Sequence, residues 1–135
     1  MQQNNLSYTK ELICRFKNPK FVKKLKNPSA VGEVGNIRCG DIMHLEIEVE
    51  KSKGKEIIKD IGFQTFGCPA AIASSDVVCE LAKGKTLEQA KKLTKNDIVR
   101  KLGGMPPIKV HCSVLGIEAL NKAIENYEKK EGREK

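Results

Sequence analysis

Tryptophan is missing from this sequence, and only 4% of its residues are aromatic. Without a row of rings there is no platform for stacking single-stranded bases. The formal net charge of +8 therefore does not by itself describe a nucleic-acid binder. Long apolar runs are missing too. None approaches the roughly 18 residues of a membrane span, and the opening MQQNNLSYTKEL has no apolar centre of the kind a secretory signal needs. The expectation is a cytoplasmic protein with no membrane partner. The five cysteines include no C-x-x-C pair, which excludes the usual zinc-finger and ferredoxin spacings. In a reducing compartment they are expected as ligands, nucleophiles or core residues rather than as disulfides. Repeats and low-complexity stretches are also lacking, apart from the charged end EKKEGREK at 128–135, expected to fray. The 135 residues read as one domain with a core over about 8–127.

Acidic residues are scarce in one place. Between Lys10 and Lys26 the only one is Glu11. Such a segment can track phosphates, form a solvated face or dock an acidic protein partner.

The elements follow from periodicity. A helix is expected from Ser7 to about Phe16, with Leu12, Ile13 and Phe16 inward, ending at Asn18-Pro19. Residues 20–26 read as a basic helical turn or loop, closed by Asn27-Pro28. Met43, Leu45, Ile47 and Val49 alternate with His44, Glu46 and Glu48, the mark of a half-buried strand. KSKGK makes a hairpin loop into a second strand, EIIKDIGFQTF, and residues 34–38 offer a third. Helices then take over. One starts at Pro69 and stops at Gly84; Thr86 and Gln89 form a capping box; a short helix begins at Asn96; the last runs from near Ser113 towards Tyr127, with Ile117, Leu120, Ile124 and Tyr127 on one face. Strands followed by helices define an α+β domain, with helices packed on one side of a small antiparallel sheet.

The cysteines fall unevenly on this outline. Cys39 (in RCGD) precedes the alternating strand, Cys68 (in FGCPAA) joins the second strand to the first long helix, and Cys112 (in VHCS) precedes the last helix. All three occupy element ends, where side chains can converge on one pole. Cys68 and Cys112 stand at helix mouths, and Lys109 is near, so thiolates are favoured there. Asp41 and His111 offer a carboxylate and an imidazole beside Cys39 and Cys112. Three thiolates and one further ligand would fill a tetrahedral metal site or hold a small cluster. Taken singly, each has a plainer reading: a structural cysteine, a turn-capping Asp41, a loop His111. Cys79 and Cys14 are expected in the core, and His44 exposed on the polar side of its strand. A Cys-His hydrolase is disfavoured, because adjacent residues of an extended segment point to opposite sides and no orienting third group is evident.

Three motifs in order, CGD at 39–41, FGCPAAIASSD at 66–76 and PPIKVHCS at 106–113, together with YTKELICRFKNP at 8–19, resemble the iron–sulfur cluster assembly scaffold proteins of the IscU/NifU type. The resemblance covers about Tyr8 to Tyr127. It implies a three-stranded antiparallel sheet with ligands at one end, and a nascent [2Fe–2S] cluster on Cys39, Cys68 and Cys112 with Asp41 or His111 as the fourth ligand. Lys109 matches the family's lysine beside the His-Cys pair. It further implies a carrier rather than a turnover enzyme, a cysteine desulfurase as sulfur donor, acceptor apoproteins, an Hsp70-type chaperone at Met105–Lys109, and assembly as a homo-oligomer or with the desulfurase. The alternative is a zinc-dependent sulfurtransferase using the same ligands, since Zn²⁺ accepts thiolate, carboxylate and imidazole. Two motifs depart from many relatives: Gly67-Cys68-Pro69-Ala70-Ala71 replaces Gly-Cys-Gly-Ser-Ala, and Met105-Pro106-Pro107-Ile108-Lys109 replaces Leu-Pro-Pro-Val-Lys.

Overall fold

The structure, a computed structural model, describes residues 9–36, 41–66, 69–104 and 112–130. The chain runs α1 (Lys10–Lys17), β1 (Ala30–Asn36), β2 (Asp41–Ser52), β3 (Lys55–Phe66), α2 (Pro69–Ala82), α3 (Leu87–Lys91), α4 (Lys95–Lys101) and α5 (Cys112–Lys130). The strands form an antiparallel sheet in the order β1-β2-β3. The α+β reading holds, and the third strand starts earlier than residue 34.

Alternation along β2 decides what the sheet buries. Met43, Leu45 and Ile47 are fully buried under α2 and α5, which lie on one face. On β3, Phe63 opposite Leu45 and Ile61 opposite Ile47 are buried with them, and so is Ile58 farther along. Ile61 and Ile58 are an odd number of residues apart, so strict alternation would send one outward. A bulge resolves this: Glu48 pairs with Asp60 but Val49 with Ile58, which leaves Lys59 as the extra residue and returns Ile58 to the core. The β2–β3 turn takes two residues, Lys53 and Gly54, with φ of 51° and 78°, the primed turn that suits twisted hairpins.

Residues 20–29 are a strap, not a helical turn. Phe21 C=O accepts from Phe63 N–H at 2.9 Å on the outer edge of β3. Farther along that edge, Ile58 N–H donates to Lys85 C=O (2.9 Å) and Ile58 C=O accepts from Gly84 N–H (2.8 Å), so the edge is covered at both places. The strap then crosses the other face of the sheet. A Cβ at Gly62 would lie 2.6 Å from the carbonyl oxygen of Lys23, so the crossing requires glycine there. Leu25 N–H donates to Glu46 Oε1 at 2.8 Å, and Ser29 N–H donates to Ile47 C=O at 2.7 Å before β1 begins.

Helix α1 is held by charge. Its N-cap is Thr9, whose Oγ1 accepts from Leu12 N–H and itself donates to Leu102 C=O at 2.5 Å, tying α1 to the end of α4. Leu12 is buried, but Phe16 is 37% exposed and Arg15 takes the inward place. The inward triad expected for α1 is corrected accordingly. Arg15 donates to Glu11 (2.8 Å) and Asp76 (3.0 Å) and pairs with Glu80. The other oxygen of Asp76 accepts from Lys20 and Phe21 N–H at 2.8 and 2.9 Å. One buried carboxylate thus joins α1, α2 and the strap. An isolated arginine on an amphipathic helix gives no hint of such a partner 61 residues away.

Further corrections concern ends. The short helix α4 is capped by Thr94 with Asp97 in a reciprocal box, not begun by Asn96. Helix α5 continues to Lys130, where Glu128 pairs with Lys91 at 2.8 Å and Lys130 donates to Ser29 C=O at 3.2 Å. The charged end is therefore docked as far as Lys130, and residues 131–135 lie outside the described residues. The capping box of Thr86 and Gln89 is present. Cys79 is buried as expected, whereas Cys14 is exposed. Among the described residues, no helix is long and apolar enough to cross a membrane.

Candidate metal centre at one pole of the sheet

Strand register brings two chain connections to one end of the domain, and helix packing brings the mouth of α5 towards it. Asn36 pairs with Asp41, so the β1–β2 connection containing Cys39 begins and ends there. Ile42 pairs with Phe66, so β3 finishes beside the start of β2, and α2 begins three residues later at Pro69. Helix α5 opens at Cys112 and reaches α2 within a turn or so, at Gly116, against Ser75 and Val78. Ser75 Oγ in turn donates to Met43 Sδ of β2 at 3.5 Å.

Of the candidate ligands, Cys39, Cys68 and His111 lie outside the described residues, as do Lys109 and the Met105–Lys109 segment. For Asp41 and Cys112 the structure describes the backbone: Asp41 opens β2 and Cys112 opens α5. Among the described residues, no group of three or more His, Cys, Asp or Glu side chains could hold a metal ion. Cys14 on α1 and Cys79 inside α2 take no place at this pole. Burial, followed by the charge of Asp76, pushes the Cys79 thiol well above the usual thiol range, which keeps it protonated and inert.

The back of the same pole is open. Ile42 is 46% exposed and lines a shallow cavity of about 250 Å³ with His44, Gln64 and Thr65. His44 was expected to be merely exposed. It is half-buried, with Nε2 3.0 Å from Glu46 and Nδ1 3.7 Å from Glu33. Burial opposes the charge of Glu46, but the Leu25 N–H and the His44 imidazole hold its carboxyl below the usual carboxylate range. Asp60 is likewise lowered: burial opposes its charge, and the Lys23 ammonium and Ile61 N–H more than offset that. Glu80 is lowered against its own burial by Arg15. Arg15 is raised, because its three carboxylates outweigh the cost of burial.

Sequence reasoning did not single out Met43, Ser75 and Gly116 as neighbours, nor Arg15 and Asp76 as a pair. The one visible signal was composition. ASSD in the middle of an otherwise apolar helix places three polar residues where the core should be, and Ser74, Ser75 and Asp76 are all fully buried.

A three-stranded antiparallel sheet with helices on one face is the architecture that the comparisons with known proteins return. The profile of the NifU-like N terminal domain matches residues 7–134, and the chain belongs to this family. It is 45% identical over 126 residues to the iron-sulfur cluster assembly scaffold protein IscU 1 of Archaeoglobus fulgidus, covering 93% of this chain and 80% of that one. It is 47% identical over 126 residues to the nitrogen fixation protein NifU of a Nostoc species, covering 89% of this chain and 41% of NifU. Among solved structures, the N-terminal part of a NifU-like protein from Brucella abortus superposes with a TM-score of 0.69, covering 93% of this chain and 96% of that one. At 19% identity that likeness speaks for the fold.

Proposed function

We propose that this protein is a scaffold on which an iron–sulfur cluster is assembled and from which it is passed to acceptor apoproteins. Cys39, Cys68 and Cys112 hold the nascent [2Fe–2S] cluster as cargo, with Asp41 or His111 at the fourth position and Lys109 beside them. Residues from about 8 to 127 act as one unit. The observation that carries the reading is convergence: the pairs Asn36–Asp41 and Ile42–Phe66 and the Gly116–Ser75 contact bring the elements flanking all three cysteines to one pole. Covalent reach does the rest. Cys39 is two residues from Asp41, a span of at most about 7 Å, and Cys68 directly precedes Pro69, one Cα step of at most about 3.8 Å.

The donor set suits cargo rather than a permanent cofactor. Clusters that stay are usually held by four thiolates. An oxygen or imidazole at one corner matches soft iron–sulfide less well and leaves a point of entry. The mouths of α2 and α5 favour anionic ligands, since unpaired N–H groups and the positive ends of two helix dipoles face them. Sulfur for such a site comes from a persulfide donor of the cysteine desulfurase class. A carrier role agrees with the scaffold names of the relatives.

Anaerobic reconstitution with iron, a sulfur source and reductant tests the reading. The expected result is about two irons and two sulfides per chain with a visible chromophore, lost in Cys39→Ser, Cys68→Ser and Cys112→Ser. Asp41→Ala should slow release of the cluster to a chelator; faster release would show that Asp41 holds the cluster instead of loosening it. A colourless protein with one tightly bound zinc would replace the scaffold reading with a zinc-dependent sulfur relay.

A further inference from the structure

The pole rests on a small buried junction. Met43 of β2, Ser75 of α2 and Gly116 of α5 stand four, seven and four residues after Cys39, Cys68 and Cys112. Within α5 four residues are about one turn, so Gly116 stands one turn in from the helix mouth at Cys112 on nearly the same face, and Ser75 stands within two turns of the start of α2 at Pro69. Ser75 is fully buried, and its hydroxyl reaches Met43 Sδ at 3.5 Å, which fastens α2 to β2. On the other side, a Cβ at position 116 would lie 3.1 Å from Val78 Cγ2, 3.2 Å from Ser75 Oγ and 3.3 Å from Ser75 Cα. Each approach is tighter than an ordinary carbon contact, and packed interiors transmit such displacements instead of absorbing them. A side chain at 116 therefore displaces Val78 and Ser75, or α5 itself, by a few tenths of an ångström.

We propose that the Met43–Ser75–Gly116 junction is a positioning device: by letting α5 sit directly on α2 and tying α2 to β2, it sets the separation of the three thiolates at the pole. The proposal rests on the three-cysteine reading above. Metal–sulfur bonds of about 2.3 Å tolerate little error in ligand spacing, and residues behind a metal site commonly govern its affinity through orientation alone. Gly116 and Ser75 are positioning residues, since neither carries a group that would touch the metal.

Cobalt(II) alone, added anaerobically to the metal-free protein, is the probe, because its ligand-field and sulfur-to-cobalt bands report thiolate number and tetrahedral geometry. Gly116→Ala should weaken cobalt binding by about tenfold or more and alter the band intensities. Gly116→Ala combined with Val78→Ala, which removes the nearest obstructing atom, should recover most of both. Ile58→Val, a core change at the end of β3 remote from Phe66, serves as the stability control and should leave the cobalt spectrum unchanged. The proposal is overturned if Gly116→Ala binds cobalt with wild-type affinity and spectrum, or if Ile58→Val loses as much affinity. Cobalt binding by wild type that is absent, or indifferent to Cys68→Ser, would instead remove the three-thiolate reading, and the positioning role with it.

Discussion

The two faces of β2 are built from the same twelve residues and are held by opposite means. Met43, Leu45 and Ile47 meet helices through apolar contact, while His44, Glu46 and Glu48 face a strap through charge. On the helical face, shape decides everything. On the strap face, Glu46 is almost as buried, at 8% exposure, yet it survives there because Leu25 N–H and His44 satisfy its oxygens. One strand thus shows that burial demands either complementarity of volume or satisfaction of every polar atom. The two demands fail differently when broken.

The largest effect is expected on the helical face. A Cβ at Gly32 would lie 2.1 Å from the carbonyl oxygen of Ala119 and 2.5 Å from the Ala123 nitrogen. Backbone atoms cannot rotate away. Gly32→Val should cost more than about 3 kcal/mol, read as a collapse of the denaturation midpoint or failure to fold; a near-native midpoint would mean that α5 does not lie on β1 as described. Next comes the clamp between the faces. Asp76→Ala removes one of the three carboxylates of Arg15 and leaves two strap N–H groups unanswered, a loss of about 2–4 kcal/mol. Asp76→Asn, which keeps an acceptor, should lose less in the same urea titration.

Acid separates the two faces more gently. Glu46, Asp60 and Glu80 all have lowered carboxyl pKa values in the fold, so the unfolded chain binds more protons through the acid range. Their contribution is complete above the unfolded carboxylate values of about 4 and is lost as pH falls through the lower folded values. Stability should therefore drop on acidification below about pH 4–5, and Glu46→Gln should flatten that dependence measurably. An unchanged pH profile in Glu46→Gln would remove the strap face from the account. The smallest effect belongs to the surface. Lys91 and Glu128 pair at 2.8 Å with side chains 43% and 30% exposed, and Lys91→Ala should cost no more than about 1 kcal/mol.

The helical face was legible from the sequence because it depends on period. Alternation along 43–49 and spacing along α5 needed no knowledge of partners. Tyr127, Ile124 and Leu120 are buried as spacing requires, although Ala119, Ala123 and Leu115 share the interface. The strap face was not legible, because charges pair across sequence distances that no local pattern records. Arg15 with Asp76, and Leu25 with Glu46, are contacts between segments whose own composition reads as solvated surface. Phe16 and Cys14 were assigned inward by hydrophobicity, but they lost that place to an arginine whose carboxylates compensate its burial.

For the candidate site, the residue types and their order were set by sequence alone: three cysteines at three element ends, with an aspartate and a histidine beside two of them, in the motifs of one family. A pattern of termini can be read from a string because breakers and caps are local. That those termini belong to one pole was decided by tertiary structure, through the Ile42–Phe66 register and the contact of Gly116 with Ser75. Register and helix approach are set by packing between elements far apart in the chain, and that is information no single segment holds.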